Sequence, residues 1–249
     1  MAKKKEDKKR RNYFSGSGSD LNRAIGNNEA KERYFIITEG ETEYYYFHAI
    51  KNKINKEFRG LVELEPQQSK KSNIAKIMSI AEEKARISHL PYSNIFPVFD
   101  RDSKSNPEDI FNSAIRNPPS KKIKSLYTNP CFEYWLFLHL EDSQSLSCDN
   151  YLKALSKIFK LEYKKTDPGN LDRILKKKPN GILAAIRRAE QIDQSSDLNL
   201  LQSERIPSTN MPEFFDKIAD ALYQPKDSDK YLSEKKLREE KLKVFLFQV

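Results

Sequence analysis

With 249 residues, 33% of them charged, and a net charge of +9, the chain can bury a substantial core, and it favours an anionic partner such as nucleic acid over an acidic substrate. Its two cysteines, Cys131 and Cys148, exclude a disulfide scaffold and suit a reducing compartment. No apolar run reaches the roughly 20 residues needed to cross a bilayer, and no hydrophobic segment follows the basic N-terminus as in a secretory signal, so a cytoplasmic protein without membrane contact is expected.

Much of the charge excess sits at the N-terminus, where Lys3 to Arg11 holds seven basic residues against two acids. The Gly/Ser run Ser15 to Ser19 follows, and so little apolar surface predicts a mobile basic tail over residues 1–33. Tyr34 to Ile37 is an aromatic and β-branched run suited to a buried strand. It stops at Thr38-Glu39-Gly40, after which Phe47, Ile50, Ile54 and Phe58 recur at helical spacing. Leu61 to Glu65 alternates as a second strand. Ser72 is placed to cap a helix that turns Ile74, Ile77, Met78 and Ala81 inward. Ile95 to Phe99 reads as a third strand, in which Pro97 argues against a central position because proline donates no ladder hydrogen bond. Asn106-Pro107 and Asn129-Pro130 both carry the cap-then-proline pattern of a helix start. Between them, Ile123 to Tyr127 is a weaker fourth strand.

This alternation predicts an α/β fold, a mostly parallel four-stranded sheet flanked by helices, over residues 34–141. From Asp142 onward the patterns are helical: Tyr151 to Phe159, Leu171 to Lys178, Ile182 to Ile192, and Glu213 to Leu222 behind a cap at Asn210. Residues 142–249 are therefore expected to form a helical extension without strands. Its apolar end, Val244 to Phe247, suits a docked helix or strand, or contact with another chain.

Glu39 falls where a strand turns into a helix, and Asp100 and Asp102 follow the third strand. Open α/β sheets place their ligand sites at the carboxyl ends of strands. Asp100 and Asp102, two apart on extended chain, point to one side. Carboxylates held together repel unless one is protonated or a cation lies between them. Mg²⁺ is commonly bound by one or two carboxylates with water and phosphate oxygens. With Glu39 added, such a set can hold one or two metals, orient water and offset charge on a phosphoryl group, and Glu39 can equally move protons beside the metal. The plain alternative is a group of solvated loop acids, with Arg101 pairing one of them.

A strand ending in Glu39-Gly40, then a helix, then about sixty residues on a strand ending in Asp100-Arg-Asp102, resembles the Toprim domain, the metal-binding module of topoisomerases, primases and OLD-type nucleases. The segments ITEGETEYYYF, VFDRD, TNPCFEYWLFLHL and IPSTNMPEFFDKI, spread over about Tyr34 to Tyr223, are similar to the RloB family, which is associated with anti-phage and restriction loci, often beside an ATPase gene. The resemblance implies a Toprim-like catalytic domain over 34–141, with Asp100 and Asp102 as the metal-binding pair. It implies Glu39 as general acid/base and metal ligand, and Glu133 as a further acid near the metals. On the residues alone, Glu133 lies in the first turns of a helix, where the dipole favours a carboxylate for no catalytic reason. Glu41 and Glu43 are also close, and Glu41 is the alternative if the register shifts by two. The implied activity is a Mg²⁺-dependent nuclease, with Mn²⁺ as substitute, cutting DNA or RNA in anti-phage defence with an ATPase partner. A non-catalytic nucleic-acid- or nucleotide-binding regulatory subunit is the alternative, and nucleotidyl transfer a third reading.

Lys104, just behind the D-x-D, is the leading phosphate contact, followed by Lys70 and Lys71; Lys121-Lys122 and Lys176 to Lys178 read more readily as solvated faces. Tyr44, Tyr45 and Tyr46 could stack bases, although helix packing is the commoner use. His48, His89 and His139 do not combine with the cysteines into zinc spacing, though His48 could approach the acidic site. No glycine precedes a lysine, so a P-loop is absent and ATP hydrolysis would belong to a partner. Nucleic acid, a neighbouring ATPase and a second copy of the chain are the partner classes left open.

Overall fold

A computed structural model describes residues 32–58, 60–69, 73–101, 106–116, 118, 123–197 and 199–247. The first part alternates β1 (Glu32–Thr38), α1 (Glu41–Glu57), β2 (Val62–Gln68), α2 (Ile74–Ser88), β3 (Ile95–Asp100), α3 (Glu108–Arg116), β4 (Leu126–Asn129) and α4 (Phe132–Leu138). Helices α5 (Cys148–Phe159), α6 (Asn170–Lys177) and α7 (Gly181–Ser195) follow, then a two-residue strand β5 (Ser208–Thr209), α8 (Pro212–Leu222) and α9 (Glu234–Leu242). The sheet order is β2-β1-β3-β4-β5, parallel except for β5, which runs antiparallel to β4.

Among the described residues five strands replace the expected four, and the second half is not strand-free. β5 is too short to show a period; it is held by tertiary contacts instead. The Asn210 side chain accepts from the Tyr127 N–H at 2.8 Å and donates to the Ser125 carbonyl at 2.8 Å, so it pins β5 to β4. Pro97 lies in a central strand, against expectation. Val98 offers its carbonyl to the Glu39 N–H on the β1 side, so the nitrogen of Pro97 faces the β4 side, where pairing begins only at Val98–Leu126. The missing donor is therefore not missed. Ser72 lies outside the described residues, and the helix it was expected to open is capped by Asn73, whose side chain accepts from the Lys76 N–H at 3.4 Å.

Both faces of the sheet are buried at β1 and β3, which is why these strands read as nearly continuous apolar runs, whereas β2 at the edge alternates. Phe35, Ile37, Ile95, Phe99 and Tyr127 face α2 and α3, while Tyr34, Ile36, Phe96, Val98 and Leu126 face the opposite layer. That second core takes in α1, α4 and every later helix, with Trp135, Phe214, Phe215 and Phe245 among its fully buried side chains. The apolar C-terminal stretch docks here: the Phe245 ring lies 4.9 Å from that of Phe215.

His139 closes this core without solvent contact. Its Nδ1 donates to the Trp135 carbonyl at 2.8 Å, which leaves Nε2 to accept from the Tyr46 hydroxyl at 3.1 Å. Burial pushes its pKa from 6.5 down to about 4. Between those two pH values the unfolded chain binds a proton that the native ring refuses, so this contribution is intact above pH 6.5 and declines toward pH 4. The expected loss is on the order of 3 kcal/mol. Urea unfolding near neutrality and at about pH 4.5 should show it in the wild type and not in His139→Phe; equal pH dependence in both would refute the assignment.

Candidate metal centre

The acidic residues gather at the carboxyl ends of β1 and β3, neighbours in the sheet. Glu39 follows β1 directly, and both its carboxylate oxygens accept from Asn106 Nδ2 at 3.2 Å. Its Oε2 also lies 3.4 Å from the Asp100 N–H, so the backbone of one strand end steadies the acid of the other. Asn106 is buried and carries more than this: its Nδ2 donates to the Asp100 carbonyl at 3.2 Å, and its Oδ1 accepts from the Ile74 N–H at 3.4 Å. The expected cap of α3 is instead a brace between Glu39, Asp100 and the start of α2.

Asp100, the last residue of β3, accepts from the Thr128 hydroxyl and, through Oδ2, from the Phe132 N–H at 3.0 Å. It thereby caps α4, whose own cap residue Cys131 contributes no side-chain hydrogen bond. Burial pushes the Asp100 carboxyl well above its usual range, and the negative charges of Glu43 and Glu133 push it further; Thr128 and Phe132 oppose the shift.

Glu43 was not singled out ahead of Glu41, and the structure reverses that order. Glu41 is exposed, whereas Glu43 is buried on the inner face of α1. Its carboxylate folds back over Gly40: a Cβ placed on Gly40 would sit 2.6 Å from Glu43 Oε2. Gly40 has an extended backbone open to any residue, so it is the space, not the conformation, that asks for glycine. Burial lifts the Glu43 pKa to about 8, with repulsion from Glu133 and Glu39 adding to it and Lys165 working against it. Gly40→Ala should displace this carboxylate at little cost to stability and weaken divalent-cation affinity about tenfold, the scale of losses around first-coordination groups. Calorimetric titration with Mn²⁺ checks this, and an unchanged affinity would show that Glu43 contributes nothing to cation binding.

Glu133, in the first turn of α4, is 1% exposed. The Lys165 ammonium meets it at 3.2 Å, and the Thr42 hydroxyl approaches its other oxygen at 3.5 Å. Burial works against the Lys165 charge, but attraction to Glu133 outweighs it, and the lysine pKa is raised. Tyr163, two residues earlier, is buried; its ionisation is pushed up first by burial and then by Glu133 and Glu43, with Thr42 opposing the shift. The segment between α5 and α6 thus completes the acidic site with a cation and a phenol. Nothing local in the sequence marks either residue.

Cys131 also belongs to this neighbourhood. The neighbouring Cys148 thiol, burial, and the charges of Glu133 and Asp100 together push the ionisation of its thiol up. His48 does not join the acids: Asn52 Nδ2 meets its Nδ1 at 3.3 Å, and its ring leans on Tyr44. Tyr46 is a packing residue, its ring 5.4 Å from Phe132, whereas Tyr44 and Tyr45 remain half-buried. Asp102, Lys104, Lys70, Lys71 and Lys121-Lys122 lie outside the described residues.

Among the described residues no group of three or more His, Cys, Asp and Glu side chains is drawn together tightly enough to hold a metal ion. The charges of Glu133 and Glu39 raise the proton affinity of Glu43, and those of Glu43 and Glu133 raise that of Asp100, so the four acids share one electrostatic neighbourhood. The donor set is oxygen throughout and short of positive charge, which is the chemistry that suits Mg²⁺ or Mn²⁺.

No curated protein and no solved structure matches the chain. The family model for RloB-like proteins matches residues 34–218, a span that runs from β1 into α8 and contains all four acids, Tyr163 and Lys165. The chain therefore belongs to the RloB-like family.

Proposed function

We propose that this chain is a Toprim-like nuclease that uses Mg²⁺, with Mn²⁺ as substitute, to hydrolyse phosphodiesters in DNA or RNA. The observation that carries the reading is the meeting of Glu39, Glu43, Asp100 and Glu133 at the carboxyl ends of adjacent parallel strands. Glu39 and Asp100 are half-buried and so open to substrate, while Glu43 and Glu133 sit behind them. Such crowding is costly for carboxylates alone and is offset when a cation joins them. A divalent cation, when bound, supplies positive charge against phosphoryl oxygens and makes water more acidic. Glu39, held by Asn106, is placed to take a proton from attacking water. Lys165, paired with Glu133 but half exposed, is placed to face a phosphate. The family resemblance extends the reading to anti-phage defence in the cytoplasm beside an ATPase partner.

The raised pKa of Glu43 gives the cation reading a proton signature. As pH rises from 4.5 to about 8, the unfolded chain loses a proton that the native carboxyl keeps, so this group's contribution to stability is lost over that window. Binding a cation to the ionised form near neutrality should therefore release a proton. The functional test is incubation with DNA and with RNA, with and without the ATPase encoded alongside. Cutting in Mg²⁺ that EDTA stops and Mn²⁺ restores is the expected result. Cutting that persists in EDTA contradicts the proposal, and nucleic-acid binding without cutting in any combination favours a regulatory subunit.

A further inference from the structure

We infer, on the cation reading above, that Lys165 is an internal counter-ion that regulates the acidic site: its ammonium takes the place beside Glu133 that a divalent cation needs, so loading requires the lysine to let go. Glu133 is held between two side chains, with Lys165 Nζ 3.2 Å from Oε2 and the Thr42 hydroxyl 3.5 Å from Oε1. Asn106, Thr128 and Phe132 meet Glu39 and Asp100 as neutral donors, whereas Lys165 meets Glu133 as a full positive charge. That charge also bears on Glu43 and Asp100.

The two partners differ in their freedom to part. The Glu133 side chain is 1% exposed and that of Lys165 50%, so the ammonium can turn into solvent while the carboxylate cannot follow. The backbone that carries the lysine is tied down. Between α5 and α6 the Tyr163 N–H donates to Ser156 Oγ at 2.9 Å, and the Lys164 carbonyl accepts from Asn170 Nδ2 at 2.9 Å and from the Asp167 N–H at 3.1 Å. Release is therefore a swing of one flexible four-carbon stem about an anchored base. It needs a replacement charge, because a buried carboxylate stripped of its partner is strongly disfavoured. A divalent cation supplies two charges for the one withdrawn. The lysine thus balances Glu133 whenever no divalent cation does, and competition between the two sets the concentration at which the site loads.

An opposite charge at this range is worth roughly one to three factors of ten to a carboxylate, and the half-exposure of the lysine selects the low end. Lys165→Met, which keeps most of the stem and removes the charge, should therefore bind Mn²⁺ about tenfold more tightly than wild type. Lys165→Arg, which keeps the charge, should bind no more tightly than wild type. In a Glu133→Gln background the gain from Lys165→Met should vanish, since no carboxylate is left to release.

Calorimetric titration of the full-length chain with Mn²⁺, run on wild type, both single variants at Lys165, Glu133→Gln and the Lys165→Met/Glu133→Gln pair, reads these affinities, with thermal unfolding beside it. Saturating Mn²⁺ should raise the Tm of Lys165→Met more than that of wild type, because the cation there replaces a lost charge. If that variant is unfolded without Mn²⁺, its refolding on addition of Mn²⁺ supports the exchange in the same way. Its failure to fold even in Mn²⁺ overturns the exchange, because the cation then does not stand in for the ammonium. Binding by Lys165→Met equal to or weaker than wild type overturns it too, as does an equal gain in the Glu133→Gln background. Wild type that binds Mn²⁺ with no gain in Lys165→Met sinks the counter-ion role alone, whereas no binding by wild type or any variant sinks the cation reading with it.

Discussion

Asp100→Asn is expected to lower metal-dependent cleavage about a thousandfold or more while changing folding stability by no more than about 1 kcal/mol. The activity loss follows from removing a carboxylate at the centre of the cluster, since charge stabilisation by a bound cation is worth several kcal/mol at a phosphoryl transition state and each tenfold in rate is about 1.4 kcal/mol. The stability estimate comes from two opposed terms. Asparagine can still accept from Thr128 but offers Phe132 no second acceptor, so one buried hydrogen bond is lost. Against this, the substitution removes a charge that burial, Glu43 and Glu133 all disfavour. Single-turnover cleavage and urea unfolding on the same preparation measure both quantities. Activity within about tenfold of wild type would remove Asp100 from the reaction.

Trp135→Ala should cost about 3–5 kcal/mol, the range for deleting a fully buried large aromatic. Its indole has no exposure, and the ring lies 5.0 Å from His139 and 5.7 Å from Phe215. It therefore joins α4, which follows the sheet, to α8 from the second half of the chain. Because the later helices share their core with one face of the sheet, unfolding of both wild type and variant should remain a single transition. Two separated transitions, or a loss below about 1 kcal/mol, would show that the helices after Asp142 are an independent body.

Alternation of strand and helix was plain from the sequence because each buried strand is a short apolar run and each helix shows a period near 3.6. Glu43 was legible too: it lies four residues before Phe47, on the stripe that continues through Ile50 and Ile54, so its burial follows from the same period that buries those residues. The sequence could not show what Asn106 does. Its cap-then-proline context is genuine local grammar, but a side chain that could cap α3 is recruited across the fold by Glu39 and Ile74. Tyr163 and Lys165 reach the site through packing of α5 and α6 on α4 and α1, and neither residue stands out in its own segment. Pro97 misled because a ladder has two sides, and a rule about central strands cannot say which side a given nitrogen faces.

The most direct test of the account is diffraction from crystals grown with Mn²⁺, recorded at the manganese absorption edge. The account predicts an anomalous peak within oxygen-ligation distance, about 2.0–2.5 Å, of at least two carboxylates among Glu39, Glu43, Asp100 and Glu133. Crystals that leave these four side chains in their present hydrogen bonds, with no peak among them at saturating Mn²⁺, would contradict it.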